Sequence, residues 1–242
     1  LIIQRHIYSE FRQLLNEYPV VTILGPRQAG KTTLAQMLEG EYEYSNLENP
    51  ETRDFAETDP KAFLERFKGK VILDEIQRLP ILLSYIQVIV DERKEEGHFI
   101  LIGSHQLEFR QATTQSLAGR TGLLTLLPLS IAELDEAGLG SQSPWETIFK
   151  GFLPRIYNRK SRPSNAYANY YQTYVERDVR QLIHLKDAAL FEKFMKLLAG
   201  RVGQLMDYTS LANDVGVSSQ TIKSWLSILE ASFIVIKLSP YY

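Results

Sequence analysis

Gly25-Pro26-Arg27-Gln28-Ala29-Gly30-Lys31-Thr32 stands directly after the apolar run 20–24 and directly before a stretch with helical spacing. That strand, turn and helix context decides how the rest of the chain is read. The pattern G-x-x-x-x-G-K-[ST] supplies what a polyphosphate requires. Glycines allow the backbone to approach closely, inward-turned N–H groups bind oxygen, and a helix N-terminus presents partial positive charge. Lys31 adds a full charge directed at the β- and γ-phosphates, and the Thr32 hydroxyl is placed to take one coordination position on Mg²⁺. Four fixed positions would match by accident in roughly one such chain in a hundred, before the flanking elements are demanded.

Working outward, short Val-, Ile- and Leu-rich runs at 20–24, 71–73, 99–102 and 123–127, with 42–45 as a fifth, alternate with helical spacing at 32–38, 60–67 and 81–93. This alternation predicts an α/β fold, a parallel sheet with helices on both faces. In such a sheet the carboxyl ends of the strands face the ligand crevice. Val71-Ile72-Leu73-Asp74-Glu75 ends in two acids, which then lie near the phosphates. Asp74 is expected to hold Mg²⁺ and Glu75 to orient and polarise a water for attack on the γ-phosphorus, a division of labour that favours hydrolysis over phosphotransfer. The run 99–102 ends in Gly103-Ser104-His105, where Ser104, or else His105, could report the γ-phosphate. Arg120 precedes the next strand and is the candidate guanidinium for the transferring group, from its own chain or a neighbouring one.

The composition agrees with a globular protein. The 242 residues are 44% hydrophobic and 23% charged, enough for one full core and a smaller satellite. With no cysteine, disulfides and thiol chemistry are excluded, and the four histidines show no ligand spacing. The cytoplasm is the expected compartment. No apolar stretch approaches the roughly 20 residues of a membrane span, and the opening LIIQRHIYSEFRQLL lacks the order of a secretory signal. Residues 1–150 carry 15 Lys and Arg against 22 Asp and Glu, whereas 151–242 carry 12 against 7. The acidic first part is a poor nucleic-acid surface; the basic remainder could meet phosphate backbones or an acidic partner.

A glycine- and serine-rich break at 138–143, GLGSQS, and a second break at 159–164, RKSRPS, suggest a core to residue 137, a helical lid-like segment over 138–205 and a terminal module over 206–242. In that module Ala212, Gly216 and Val217, followed by Ser218 or Ser219 and then Ile222 and Leu226, have the spacing of a helix-turn-helix. An apolar run from 229 to 238 suggests a following strand and hence a winged helix. Its exposed Ser219, Gln220 and Lys223 leave two uses open, duplex DNA binding or packing against a protein partner.

Together GPRQAGKTTL, YSNLENPETRDFAETDPKAFL, VILDEIQRLP, LIGSHQ, SLAGRT, LPLSIAEL, GFLP and TYVERDVRQL resemble the prokaryotic AAA+-like P-loop ATPases, and the resemblance spans nearly the whole chain. It implies ATP bound by Gly25, Pro26, Arg27, Gln28, Ala29, Gly30, Lys31, Thr32 and Thr33, Mg²⁺ held by Thr32 and Asp74, hydrolysis assisted by Glu75 and sensing by Ser104. His105 departs from the small polar residue usual beside it. The resemblance further implies a switch or remodelling protein, possible homo-oligomers, and a further nuclease-like domain of which this chain would be a truncated relative.

Overall fold

The computed structural model describes residues 2–38, 40–103, 116–159, 161–179 and 188–239, with residues 176–179 described by backbone alone. The chain divides into two compact units, Leu1–Pro163 and Ser164–Tyr242.

The first unit is built on five parallel strands, β1 (Val20–Leu24), β2 (Tyr42–Asn46), β3 (Lys70–Asp74), β4 (Phe99–Ile102) and β5 (Thr121–Thr125), in the order β2-β3-β4-β1-β5. Its helices are α1 (Tyr8–Glu17), α2 (Lys31–Gln36), α3 (Pro50–Thr58), α4 (Pro60–Glu65), α5 (Leu82–Arg93), α6 (Ile131–Glu136), α7 (Pro144–Lys150) and α8 (Pro154–Asn158), with a 3₁₀ turn at Ile76–Arg78. Side chains alternate across each strand, and the two sets enter separate cores. Val20, Leu24, Val71, Leu73, Phe99 and Leu101 pack with Phe63, Leu82 and Ile86 from α4 and α5. Val21, Ile23, Ile72, Ile100 and Leu124 pack with Phe11 and Leu34 from α1 and α2. Both faces are therefore covered, as near-continuous apolar strands require. The α/β P-loop fold is the one expected. The fifth strand takes in Thr121 and Gly122 ahead of its expected apolar run, and a Cβ at Gly122 would lie 2.9 Å from the Tyr18 ring and 3.1 Å from the Leu14 side chain, so a larger residue there would have to displace them.

Local sequence sets the helix starts. Asn49 and Asp59 accept hydrogen bonds from Thr52 N and Ala62 N, each ahead of a proline in the first turn. Ser130 and Glu133 close a reciprocal capping box at α6.

The second unit contains α9 (Pro163–Tyr170), a π-helical stretch (Tyr171–Val179), α10 (Ala188–Ala199), α11 (Tyr208–Val215) and α12 (Ser219–Ala231). Phe191 and Phe194 of α10 stack edgewise on Trp225 of α12, with centroids 5.5 and 5.2 Å away. Leu211, Ala212, Ile222 and Leu226 complete the core. Thus α10 shares one core with the helix-turn-helix pair. Gly216 turns the chain at φ 94°, and Ser218 caps α12 through Thr221 N. The expected wing strand is not present among the described residues. Ile222, Trp225, Leu226 and Leu229 continue the helical period to Ala231, and the chain then turns through Phe233, at φ 56°, into residues without ladder partners. Among the described residues no helix is long and apolar enough to cross a membrane.

Candidate functional site

The strand order brings the loop and the acids together. Because every strand runs the same way, the ends of β1, β3 and β4 share one edge, and β4 lies between the strand that feeds the loop and the strand that ends in the acids. The loop bends through three positive-φ residues, Gly25 at 143°, Gln28 at 63° and Gly30 at 97°. Gly25 cannot be replaced without strain, since a Cβ would stand 2.1 Å from the Leu126 carbonyl oxygen. Lys31 opens α2 and is only 8% exposed. Its Nζ donates to the carbonyls of Gly25 and Pro26, both at 2.9 Å. Burial pulls its pKa from 10.5 to about 8, against the attraction of Glu75 and Asp74 and with the Arg27 charge adding to the fall. A polyanion in the loop would reverse that balance.

Asp74, 4% exposed, is the hub of the acid side. Its Oδ2 accepts hydrogen bonds from the Thr32 hydroxyl at 2.7 Å and the Tyr44 hydroxyl at 2.8 Å, while Oδ1 accepts from Glu75 N at 2.9 Å. Burial, and then the Asp74 charge, raises the Tyr44 pKa and keeps it a donor. The donor set fits Mg²⁺: a carboxylate and a hydroxyl already touch across the cleft, both are hard oxygens, and neither forms a closed protein cage, leaving room for phosphate oxygens and water. Glu75 sits in left-handed backbone, φ 56° and ψ 37°, where a side chain costs about 1–2 kcal/mol. Its Oε2 accepts a 2.5 Å hydrogen bond from Gln77 Nε2.

The structure brings Lys31, Thr32, Asp74 and Glu75 to one site. Ser104 and His105 lie outside the described residues. Arg120 is elsewhere: it precedes β5, level with the opening of β1, where Val20 N bonds its carbonyl. A five-residue strand, roughly 16 Å, separates that edge from the loop. Its guanidinium instead grips Asp91 through Nε at 2.6 Å and Nη2 at 2.8 Å. Arg120 is therefore not among the residues brought to this site, because the opening ends of parallel strands face away from the ligand edge.

Two features carry no local sequence signal. One is Tyr44, on edge strand β2. The other is an open, mostly apolar slot beside Gly30 and Thr33, lined by Ile3, Met37, Leu129 and Pro154. Only folding brings its four contributing segments together.

Comparison with known proteins agrees with this fold. Residues 17–135 match a family model described as an AAA domain, and residues 141–242 match one described as a domain of unknown function, DUF8612. Uncharacterized proteins of Mycobacterium tuberculosis and Mycobacterium bovis are each 30% identical over 245 residues, covering 100% of this chain and 54% of their own. The chain thus spans about half the length of these curated relatives. Among solved structures, the Walker-type ATPase of Pyrococcus abyssi superposes with a TM-score of 0.55 at 14% identity, covering 96% of this chain and 90% of that one. That likeness supports the fold alone. Residues 17–135 thus match an AAA domain, set within a P-loop fold.

Proposed function

We propose that the chain binds ATP with Mg²⁺ at this site and hydrolyses its terminal phosphoanhydride. The observation that carries the reading is the 2.7 Å contact between Thr32 and Asp74, which closes the acid edge onto the phosphate loop within reach of a buried Lys31. Lys31 exchanges its two backbone carbonyls for phosphate oxygens, and the loop N–H groups bind the remaining oxygens. Thr32 and Asp74 hold the cation, whose charge offsets that developing on the phosphates. Glu75, once released from Gln77, orients the attacking water and accepts its proton.

Phosphate release measured with Mg²⁺ and with chelator tests the reading. Lys31→Ala should weaken ATP binding at least a hundredfold, and Glu75→Gln should retain binding while turnover falls. A Lys31→Ala chain that binds and turns over ATP like the wild type would refute the site. Turnover is proposed to drive a conformational switch that acts on a partner. A second reading, an ATP-gated DNA-binding regulator, draws on the exposed Ser219, Gln220 and Lys223 of α12. Salt-dependent affinity for duplex DNA, measured alongside particle mass with and without nucleotide, separates the two.

A further inference from the structure

Arg5 is a buried charge from an N-terminal segment with no motif of its own. It is 9% exposed, and every side of its guanidinium is engaged. Nε donates to Glu133 Oε1 at 3.0 Å, Nη1 to the Ala29 carbonyl at 2.9 Å, and Nη2 to the carbonyls of Leu127 at 2.6 Å and Pro128 at 3.1 Å. Glu133 is fixed in turn: its Oε1 also accepts from His6 N at 2.8 Å, and its Oε2 from Ser130 N at 2.8 Å. A charge placed so far from water is retained at a cost unless every donor finds an acceptor, and here the acceptors come from three separate segments.

One of those acceptors belongs to the phosphate loop. In a trans-planar peptide the carbonyl and the following N–H point in opposite directions. Holding the Ala29 carbonyl on the Arg5 side therefore turns the Gly30 N–H the other way. Gly30 itself abuts the clamp, since a Cβ there would lie 3.8 Å from Arg5 Nη1. The loop thus has two cationic ties. Lys31 holds the Gly25 and Pro26 carbonyls and must leave them to reach a phosphate, whereas Arg5 has no reason to leave Ala29.

We infer that Arg5 is a positioning residue of the phosphate loop: by holding the Ala29 carbonyl it aims the Gly30 N–H at the place of a nucleotide's β-phosphate and keeps the loop open once Lys31 turns to the ligand. This rests on the nucleotide-binding reading above. It predicts that Arg5 matters for ligands that carry a diphosphate and not for the nucleoside alone.

The test compares ADP and adenosine binding by calorimetry to the 242-residue chain, its Arg5→Gln and Arg5→Lys variants, and a Tyr42→Phe control that removes the remote Tyr42–Gly97 hydrogen bond. Arg5→Gln should weaken ADP at least tenfold and leave adenosine within twofold. Arg5→Lys keeps the charge beside Glu133 but cannot span the same acceptors, so ADP should weaken by about three- to fivefold; this variant decides the matter if Arg5→Gln does not accumulate. Tyr42→Phe should lower the Tm without changing the ADP-to-adenosine ratio. Unchanged ADP affinity in the Arg5 variants, or equal losses for ADP and adenosine, would overturn the positioning role alone. A wild-type chain that binds adenosine but not ADP would overturn the nucleotide reading together with it.

Discussion

Gly25 and Gly30 are both fixed by the phosphate-loop motif, yet replacing each with alanine should damage different properties. At Gly25 the backbone has φ 143°, a region that side chains essentially never occupy, and the added Cβ would stand 2.1 Å from the Leu126 oxygen and 3.0 Å from its carbonyl carbon. Relief requires the Leu126 backbone to move by about 1 Å, which breaks the 2.8 Å bond from Leu126 N to Leu24 O that ties the end of β5 to β1. Backbone strain of about 1–3 kcal/mol, a lost ladder bond of about 1 kcal/mol and residual overlap bring the cost to the order of 3–5 kcal/mol. That is a large fraction of a typical domain's roughly 5–15 kcal/mol. At Gly30 the φ of 97° carries a left-handed penalty of only about 1–2 kcal/mol, and the new methyl meets nothing nearer than 3.8 Å. Hydrogen exchange of peptides spanning β1 and β5, read by mass spectrometry without nucleotide, distinguishes the two. Gly25→Ala should speed the slowest amides by about a hundredfold or more, and Gly30→Ala by about tenfold, while weakening ADP binding. Equal protection in the two variants, or wild-type protection in Gly25→Ala, would refute the packing argument at Leu126.

Tyr44→Phe removes one of the two hydroxyls on Asp74 Oδ2, and the Mg²⁺ concentration that half-saturates ATP binding should shift severalfold with little change in the Tm; an unchanged titration removes Tyr44 from the cation site. Arg120→Ala should leave ATP affinity and single-turnover rate within twofold in a monomeric sample, because its partner is Asp91 at the far edge; a hundredfold slower rate there would require the guanidinium to reach the phosphates after all. Glu133 is opposed by burial, but hydrogen bonds from the Ser130 and His6 backbone and from Arg5 hold its pKa below the ordinary 4.5. A carboxylate with a lowered folded-state pKa contributes stability above its unfolded value and loses it as pH falls through the folded one. The Tm advantage of wild type over Glu133→Gln should therefore be constant from pH 7 down to about 5 and shrink as the solution is made more acid; an advantage that grows as the pH falls would contradict the assignment.

The strands and the loop were legible because their signals are local. A parallel strand buried on both faces is a continuous apolar run, and a phosphate cradle needs glycine, lysine and threonine within eight residues. Arg120 shows what such reading overlooks. Its neighbourhood in sequence suggested proximity to the ligand, but position along a parallel strand decides which edge a residue occupies, and Arg120 stands at an opening end. Among the described residues the expected wing strand is missing for a different reason: the start of the apolar run 229–238 is taken by the last turn of α12, where Leu229 completes the buried stripe. Arg5 and Tyr44 were invisible because a lone arginine and an edge-strand tyrosine carry no periodicity. Their partners lie 24 to 128 and 30 residues away, respectively. Only the assembled sheet gives them meaning.

The strand interposed between β1 and β3 works as a spacer of set width. Two ladder steps, about 10 Å, fix the interval between the lysine side and the carboxylate side of the cleft, and neither step can stretch without unzipping backbone pairs. A cycle of opening and closing would therefore have to leave this floor unchanged, and the floor behaves as a gauge block against which every ligand is measured.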